Sequence, residues 1–205
     1  MVVKDTLRTR QAEGTRQLLI ATARELFTER GFAATSIEEI IQRAGVAKGA
    51  LYHHFNGKND LFRAVYDAVQ ADAVAGVVAA ALAEPEPWAA VRAGLSAFLD
   101  ACLEPAFRRI VVLDSVGVLQ QDVWDGGIEH NELPMLRTVL TPLVAADLTP
   151  GVTVEPLVHV TLGGLYGAAL FIARSRRPRV ARREVDAVLD ALVAGLQSLR
   201  APTTP

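Results

Sequence analysis

The sequence predicts an all-α fold of about nine helices. Apolar residues recur three and four positions apart along most of the chain, which is the spacing of one helix face. No stretch shows the sustained alternation of apolar and polar residues that a half-buried strand needs, and the helix formers Ala, Leu, Arg and Glu are abundant. We expect a flexible arm at residues 1–14, a three-helix domain with a helix-turn-helix at 15–60, a larger helical domain at 61–200 and a tail at 201–205.

The first four helices are predicted by their apolar stripes and by the residues at their ends. Gly31 provides the C-terminal stop of the first helix. Thr35 and Ser36 each precede a glutamate by three residues, which is the spacing of a capping box, and the second helix ends at Gly45. The expected ranges are 15–30, 37–44, 47–55 and 58–83.

Prolines mark the bend that separates the fourth helix from the rest of the chain. Pro85 and Pro87 disfavour helix there, and Pro142 is expected to kink a later helix. Six arginines in residues 174–183 surround Pro178. We interpret them as a solvated loop between two helices, with a nucleic-acid contact as the alternative. The expected later ranges are 88–102, 106–119, 129–146, 154–175 and 183–200.

Composition restricts the class of protein. A 51% share of hydrophobic residues in 205 excludes disorder throughout. The single cysteine, Cys102, excludes an intramolecular disulfide framework and a multi-cysteine zinc site, and we expect no metal and no cofactor. The first residues are polar and charged, unlike a signal peptide, so we expect a cytoplasmic location. The apolar stretch 160–173 is shorter than the roughly 20 residues that span a bilayer, so we interpret it as a buried helix and expect no membrane partner.

Charge is distributed unevenly along the chain. Residues 1–58 carry nine Lys or Arg against six Asp or Glu, whereas the remainder carries 12 against 17. A basic head on an acidic body is typical of a small nucleic-acid-binding module attached to a body that does not contact DNA.

The third helix has an apolar face and a polar face. Leu51 and Phe55 lie four positions apart and should pack into the core. Lys48, Tyr52 and His53 then lie outward, where the second helix of a helix-turn-helix reaches base edges in a major groove. The alternative is that this helix pair only packs within a bundle. His53 and the histidine after it cannot share one helix face, so we do not expect a two-histidine metal site.

A longer motif surrounds this helix. It runs Phe-x-x-x-Gly-Phe at residues 27–32, Thr-Ser-Ile at 35–37, Ala-Gly-Val at 44–46 and Lys-Gly-x-Leu-Tyr-x-His-Phe-x-x-Lys-x-x-Leu at 48–61. Over residues 15–65 the chain resembles the TetR family of bacterial transcriptional regulators. The resemblance implies an all-α homodimer that binds a palindromic operator in double-stranded DNA. It also implies that the operator is released when a small molecule, here unknown, enters the C-terminal domain.

The resemblance also assigns roles by position. The implied base-reading residues are Lys48, Gly49, Ala50 and His53. The implied phosphate-contacting residues are Thr35, Ser36, Tyr52, His54 and Lys58. One departure concerns the second helix, where some members carry an arginine that reads a guanine and this chain has Glu38, whose carboxylate repels phosphate. Arg8 and Arg10 have the charge to enter a minor groove, but we interpret the arm as a free tail.

The last two helices are expected to form the dimer, as the resemblance also implies. Small residues allow close approach of helices, and the last helix has a continuous apolar stripe. The alternative is that the glycines pack against an internal helix. The residues expected at the dimer interface are Gly163, Gly164, Gly167, Val185, Leu189, Leu192 and Leu196.

The effector site is expected in the helical body, lined mostly by apolar side chains with a few polar anchors. The candidates are Phe98, Cys102, Phe107, Arg109, Asp114, Trp124, His130, His159 and Tyr166. We therefore expect a transcriptional repressor that a small, mostly apolar effector releases from DNA. The alternatives are a helical interaction module that does not bind DNA, and an enzyme, for which the sequence has no nucleophile elbow, phosphate loop or metal-binding histidine cluster.

Overall fold

The computed structural model describes residues 2–119, 133–145 and 151–198, with side chains from residue 10 onward. Within these ranges the chain forms nine α-helices and one π-helical segment and contains no strand, which confirms the predicted all-α fold. The helices are α1 (Val2–Arg30), α2 (Ile37–Ala44), α3 (Lys48–His54), α4 (Lys58–Leu82), α5 (Pro87–Ala101), the π-helix (Phe107–Asp114), α6 (Ser115–Val118), α7 (Leu133–Ala145), α8 (Val154–Arg174) and α9 (Pro178–Ser198).

Local chemistry defines both ends of α2. The Ser36 hydroxyl accepts the N–H of Glu39, and the Glu39 carboxylate accepts the N–H of Ser36, so the predicted capping box is present. Gly45 ends α2 with a φ of 66°, a left-handed conformation that glycine adopts without the steric cost of a β-carbon. Helix α3 begins three residues later, so α2 and α3 form the predicted helix-turn-helix.

The helix-turn-helix unit shares its core with the body. Helices α1 to α3 pack against the first turns of α4, and the same apolar cluster continues into the π-helix. The unit is therefore held to the body by buried apolar surface rather than by a free linker. Its fully buried members include Leu26, Phe27, Ile40, Leu51, Leu61, Phe62 and Ile110.

A second apolar cluster fills the far end of the body. Helices α5, α7, α8 and α9 each contribute to it. Glu86 caps α5 by accepting the N–H of Ala89 at 2.7 Å, and Pro87 occupies the first helical position, where its missing N–H costs nothing. The buried members of this cluster include Trp88, Leu136, Leu140, Leu143, Val158 and Val193.

Two helix starts differ from the prediction by five residues or more. Helix α1 begins at Val2, so residues 2–14, predicted as a flexible arm, continue the first helix. Helix α9 begins at Pro178 rather than at residue 183, because proline is compatible with the first helical position. Part of the arginine-rich segment is therefore helical, and only residues 175–177 connect α8 to α9. The predicted tail lies outside the described residues.

The segment predicted as one helix over residues 106–119 has two hydrogen-bonding patterns. It is π-helical over Phe107–Asp114 and α-helical over Ser115–Val118. Apolar spacing predicts a helix here. It does not distinguish the α-helix, in which each backbone N–H bonds to the carbonyl four residues back, from the π-helix, in which it bonds five residues back. π-Helical turns are rare in proteins, and many of those that occur lie at functional sites.

In the part of the chain that the structure describes, two helices, α4 and α8, are long and apolar enough to cross a membrane by length and composition alone. Each packs one side against other helices: α4 contacts α1, α5 and the π-helix, and α8 contacts α7 and α9. Each contributes buried side chains to the core. We interpret both as helices of the packed body, because such helices can be as long and as apolar as a membrane-spanning helix.

Candidate DNA interface and effector cavity

Helix α3 presents one face to the core and the other to solvent. Leu51 is fully buried and Phe55 is 3% exposed, as their spacing predicted. Ala50 is half-buried at the edge of this face. No atom lies within contact distance of a β-carbon placed at Gly49, so another molecule has room to approach the helix backbone closely. The exposed residues are Lys48, Gly49, Tyr52 and His53.

Lys48 projects from the first turn of α3 beside an acidic neighbour. Its Nζ lies 3.9 Å from Glu38 Oε1 and 5.9 Å from the centre of the Tyr52 ring. The side chains of Lys48 and Glu38 are 66% and 71% exposed, so water weakens their attraction. The carboxylate adds a negative charge next to the candidate DNA-reading helix, as the sequence indicated.

Thr35 and Ser36, predicted to contact phosphate, make hydrogen bonds within the protein at the start of α2. Thr35 is 2% exposed, and its hydroxyl donates to the Gly31 carbonyl at 2.9 Å. The N–H and the hydroxyl of Ser36 donate to the Glu39 carboxylate at 2.9 and 3.1 Å. These hydrogen bonds, that of the backbone N–H first, lower the pKa of Glu39 below its ordinary value. The side chain of Glu39 thus satisfies the N–H of Ser36, and the phosphate contact of Ser36 stays a prediction.

The second histidine of α3 is turned partly inward. His54 is half-buried, with its ring centre 5.0 Å from that of His53 and 6.4 Å from that of Phe55. Tyr52, by contrast, is 49% exposed. Of these side chains, Tyr52 and His53 are the better placed to meet DNA.

Lys58, the first residue of α4, lies against the turn between α1 and α2. Its Nζ is 4.1 Å from the centre of the Phe32 ring, which is a cation–π contact. The Phe32 ring packs edge-on against Phe62, with 5.0 Å between ring centres. Partial burial lowers the pKa of Lys58, and the nearby Glu39 carboxylate opposes that shift. An aromatic platform therefore supports this ammonium at the head of the molecule.

An apolar cavity of about 280 Å³ lies in the body. Residues of α4, α5, the π-helix, α6, α7 and α8 line it. Its polar lining residues are Tyr66, Gln70, Ser115 and Tyr166, and none of its described lining residues is charged. Across the residues that the structure describes, no three His, Cys, Asp or Glu side chains are grouped as metal ligands would be.

The predicted effector residues divide between this cavity and other places. Cys102 is fully buried but does not line the cavity, and burial raises the pKa of its thiol to about 12, so the thiol stays protonated. His159 is exposed on α8 and does not line it either. Trp124 and His130 lie outside the described residues. The predicted residues that line the cavity are Phe98, Phe107 and Tyr166.

Arg109 and Asp114 do not line the cavity and instead face the helix-turn-helix unit. Arg109 Nε donates to Asp114 Oδ2 at 3.2 Å. The same oxygen accepts the backbone N–H of Phe32 at 2.8 Å. The pair predicted to anchor an effector therefore joins the π-helix to the turn between α1 and α2.

Sequence reasoning missed the contribution of α4 to the cavity. Tyr66, Gln70, Ala73 and Val77 line it, and their spacing of four, three and four places them on one helix face. Two polar residues on that otherwise apolar face were a signal that a polar-anchored site lay beneath it.

Helices α8 and α9 present an exposed apolar surface. Gly163, Gly164 and Gly167 are exposed, with nothing in contact distance of a β-carbon at any of them. On either side of them along α8, Val160 is 74% exposed and Phe171 is 55% exposed. The exposed large side chains of α9 are Val188 at 59% and Leu192 at 60%.

The apolar stripe of α9 serves two surfaces. Val185 and Leu189 are half-buried against the first core, and Leu189 and Leu196 pack against the second. These three residues, expected at the dimer interface, pack part of their surface within the protomer, and their place in a dimer stays a prediction. The stripe is wide enough to face both the body and solvent, so only Leu192 of the predicted α9 set is free of the core.

The fold and the site together define a helix-turn-helix regulator, in which a small head is attached to a helical body with an apolar cavity. Residues 19–65 match a family model described as bacterial regulatory proteins, tetR family. Residues 88–196 match the model of the tetracyclin repressor-like C-terminal domain, which covers more than half of the chain. The chain belongs to the TetR family of DNA-binding transcriptional regulators.

Curated relatives are similar mainly in the head. The HTH-type transcriptional regulator AcrR of Shigella flexneri is 42% identical over 57 residues, 28% of this chain and 26% of AcrR. The HTH-type transcriptional activator FasR of Mycolicibacterium smegmatis is 42% identical over 84 residues, 41% of this chain and 38% of FasR. The chain thus matches well under half the length of these relatives. A crystal structure of a TetR-family transcriptional regulator from Pectobacterium atrosepticum is similar over 91% of this chain and 96% of that chain, with 29% identity and a TM-score of 0.80.

Proposed function

We propose that the protein is a cytoplasmic transcriptional repressor that binds a palindromic operator as a homodimer. In this proposal a small, mostly apolar effector enters the cavity and releases the DNA. The observation that carries the proposal is that α3 has a buried face and an exposed face. Leu51 and Phe55 anchor the buried face in the core, and Lys48 and Tyr52 lie on the exposed face. A helix held in this way enters a major groove without leaving its own core.

The exposed residues of the head divide into two roles. Lys48 and His53 are long enough to reach base edges, and Gly49 leaves room for close approach. Tyr52 and Lys58 donate hydrogen bonds to phosphate oxygens, which position the protein without reading sequence.

The exposed face of α8 and α9 supports the homodimer. A single helix-turn-helix makes few contacts, and two-fold symmetry doubles them over two half-sites. Large apolar side chains this exposed are favoured at an interface, because pairing removes them from water. The three exposed glycines of α8 let a partner helix approach closely.

The cavity supports an apolar effector. An uncharged lining favours a molecule without a charge, because a buried charge needs a partner. Tyr66, Gln70 and Tyr166 supply polar groups that orient such a molecule.

Binding to a labelled random-sequence DNA duplex, measured as a function of salt, tests the proposal. Affinity should fall steeply as salt rises, because neutralised phosphates release counterions. Lys58→Ala should weaken binding to all sequences alike and lower the salt slope by about one, whereas Lys48→Ala should also relax preference at particular base pairs. Arg179→Ala serves as the control, because it removes one positive charge, as Lys48→Ala and Lys58→Ala do, from an exposed position on α9.

Two results would contradict the proposal. Absence of DNA binding by the wild-type protein at low salt would favour a helical interaction module instead. An affinity and a sequence preference in Lys48→Ala equal to those of the wild type would show that Lys48 lies outside the DNA interface. If the wild-type protein binds DNA, genomic footprinting of the tagged protein tests whether the bound sites are palindromic.

A further inference from the structure

The π-helix contacts two regions of the molecule. Phe107, Val111 and Val112 line the cavity. Asp114, the last residue of the same segment, contacts the turn between α1 and α2. One short segment thus belongs both to the cavity wall and to the support of the DNA-binding head.

Asp114 holds the backbone of that turn. Its Oδ2 accepts the N–H of Phe32 at 2.8 Å, across 82 residues of sequence, and accepts Arg109 Nε at 3.2 Å. The Asp114 side chain is only 15% exposed. A hydrogen bond to a carboxylate is stronger than a neutral one, and losing it would leave the partly buried N–H of Phe32 without its acceptor.

Phe32 in turn supports Lys58. Its ring packs against Phe62 and, with 5.8 Å between ring centres, against Phe27. The Lys58 ammonium lies over the same ring at 4.1 Å. A shift of the Phe32 backbone therefore moves the platform beneath the proposed phosphate-binding ammonium.

We propose that Asp114 is a positioning residue that fixes Lys58 for a DNA phosphate through Phe32, and that cavity occupancy reaches the DNA interface by this route. The proposal rests on the proposed function and extends it by naming the residues that carry regulation. It requires energetic coupling, because a line of contacts alone does not establish a pathway.

A double-mutant cycle on DNA affinity tests the positioning role. Asp114→Ala should weaken binding to a random-sequence duplex and lower the salt slope by about one, as Lys58→Ala does. In the Lys58→Ala background, Asp114→Ala should cause no further loss. Asp114→Asn keeps an acceptor oxygen for the Phe32 N–H and should restore much of the affinity. Additive losses, with no change in the salt slope from Asp114→Ala, would overturn the positioning role.

Phe32→Leu provides a second cycle if Asp114→Ala does not fold. It removes the ring beneath Lys58 and leaves the backbone hydrogen bond to Asp114 in place. Its loss of DNA affinity should also be absent in the Lys58→Ala background. Additivity in this cycle would equally overturn the route through Phe32.

The effect of cavity occupancy is tested with the neutral, apolar fluorophore phenylnaphthylamine. Saturating fluorophore should lower wild-type DNA affinity by about fivefold or more. Asp114→Ala should bind the fluorophore with unchanged affinity, and its DNA affinity should respond by less than about twofold. Equal responses in the two proteins, or no response in the wild type, would overturn the coupling. Failure of the wild type to bind DNA at all would instead refute the proposed function.

Discussion

The guanidinium of Arg109 lies so close to Gly31 that a β-carbon at position 31 would overlap it. Gly31 also has a φ of 82°, in the left-handed region, and its N–H bonds to the Phe27 carbonyl at 2.9 Å. The backbone conformation therefore favours glycine where α1 ends, and a β-carbon there would also displace the flexible end of the Arg109 side chain.

Gly31→Ala should destabilise the protein more than Gly45→Ala. Both residues have positive φ, which costs a residue with a β-carbon about 1–2 kcal/mol. Only at position 31 must the end of the Arg109 side chain also move, which weakens its partly exposed ion pair with Asp114, so we expect about 0.5 kcal/mol more. Urea denaturation of the two variants measures the difference.

The Arg109→Ala background is the control for this prediction. There the added methyl group meets no guanidinium, so Gly31→Ala should cost about as much as Gly45→Ala. Equal costs for the two glycine variants in the wild-type background would show that the Arg109 contact does not constrain position 31.

Glu38→Gln should strengthen DNA binding. The substitution removes a negative charge 3.9 Å from Lys48 at the proposed interface and keeps the size of the side chain. Repulsion of phosphate falls, so affinity for a random duplex at low salt should rise by several-fold. Glu84→Gln, an exposed glutamate beyond the opposite end of α4, is the matched control and should leave affinity unchanged. A Glu38→Gln affinity equal to that of the wild type would place Glu38 away from bound DNA.

The sequence predicted those features that depend on residues close together in the chain. Ser36 and Glu39 are three residues apart, so their capping box was legible, and Gly45 marked the turn because few other residues adopt its backbone conformation. Leu51 and Phe55 likewise revealed the inner face of α3 by their spacing alone.

Features that depend on tertiary contacts were not predictable in this way. The hydrogen bond between Phe32 and Asp114 joins residues 82 positions apart, which sequence spacing does not reveal. Asp114 was therefore predicted to bind the effector. Cys102 is an apolar residue of a type that often lines cavities, but it packs in the core without lining this one. Residue type alone does not distinguish a core residue from a cavity residue. The hydrogen bond from the Ser36 hydroxyl to Glu39, by contrast, was foreseeable from their spacing of three residues.

Val74→Phe should block the cavity. Val74 is half-buried on α4 and lines the cavity of about 280 Å³, so a benzyl side chain there would occupy part of the space. We expect phenylnaphthylamine to bind at least about tenfold more weakly, as measured by fluorescence titration. Val78→Phe, one turn further along α4, is the matched control, because Val78 is also half-buried but does not line the cavity. Equal losses in both variants would indicate a general effect on α4 packing.

Leu192→Glu should convert the proposed dimer into a monomer. Leu192 is 60% exposed on α9, and in the dimer it would be buried against the partner, where an unpaired carboxylate costs several kcal/mol. Leu82→Glu introduces the same charge at a leucine that is 81% exposed at the end of α4, away from the proposed interface, and should leave the mass unchanged. Light scattering at micromolar concentration distinguishes the two states. A wild-type protein that is already monomeric, or a Leu192→Glu variant that stays dimeric, would place the dimer interface elsewhere. If the interface is correct, Leu192→Glu should also weaken operator binding while leaving the fold intact by circular dichroism, because each half-site then loses the tether to its partner.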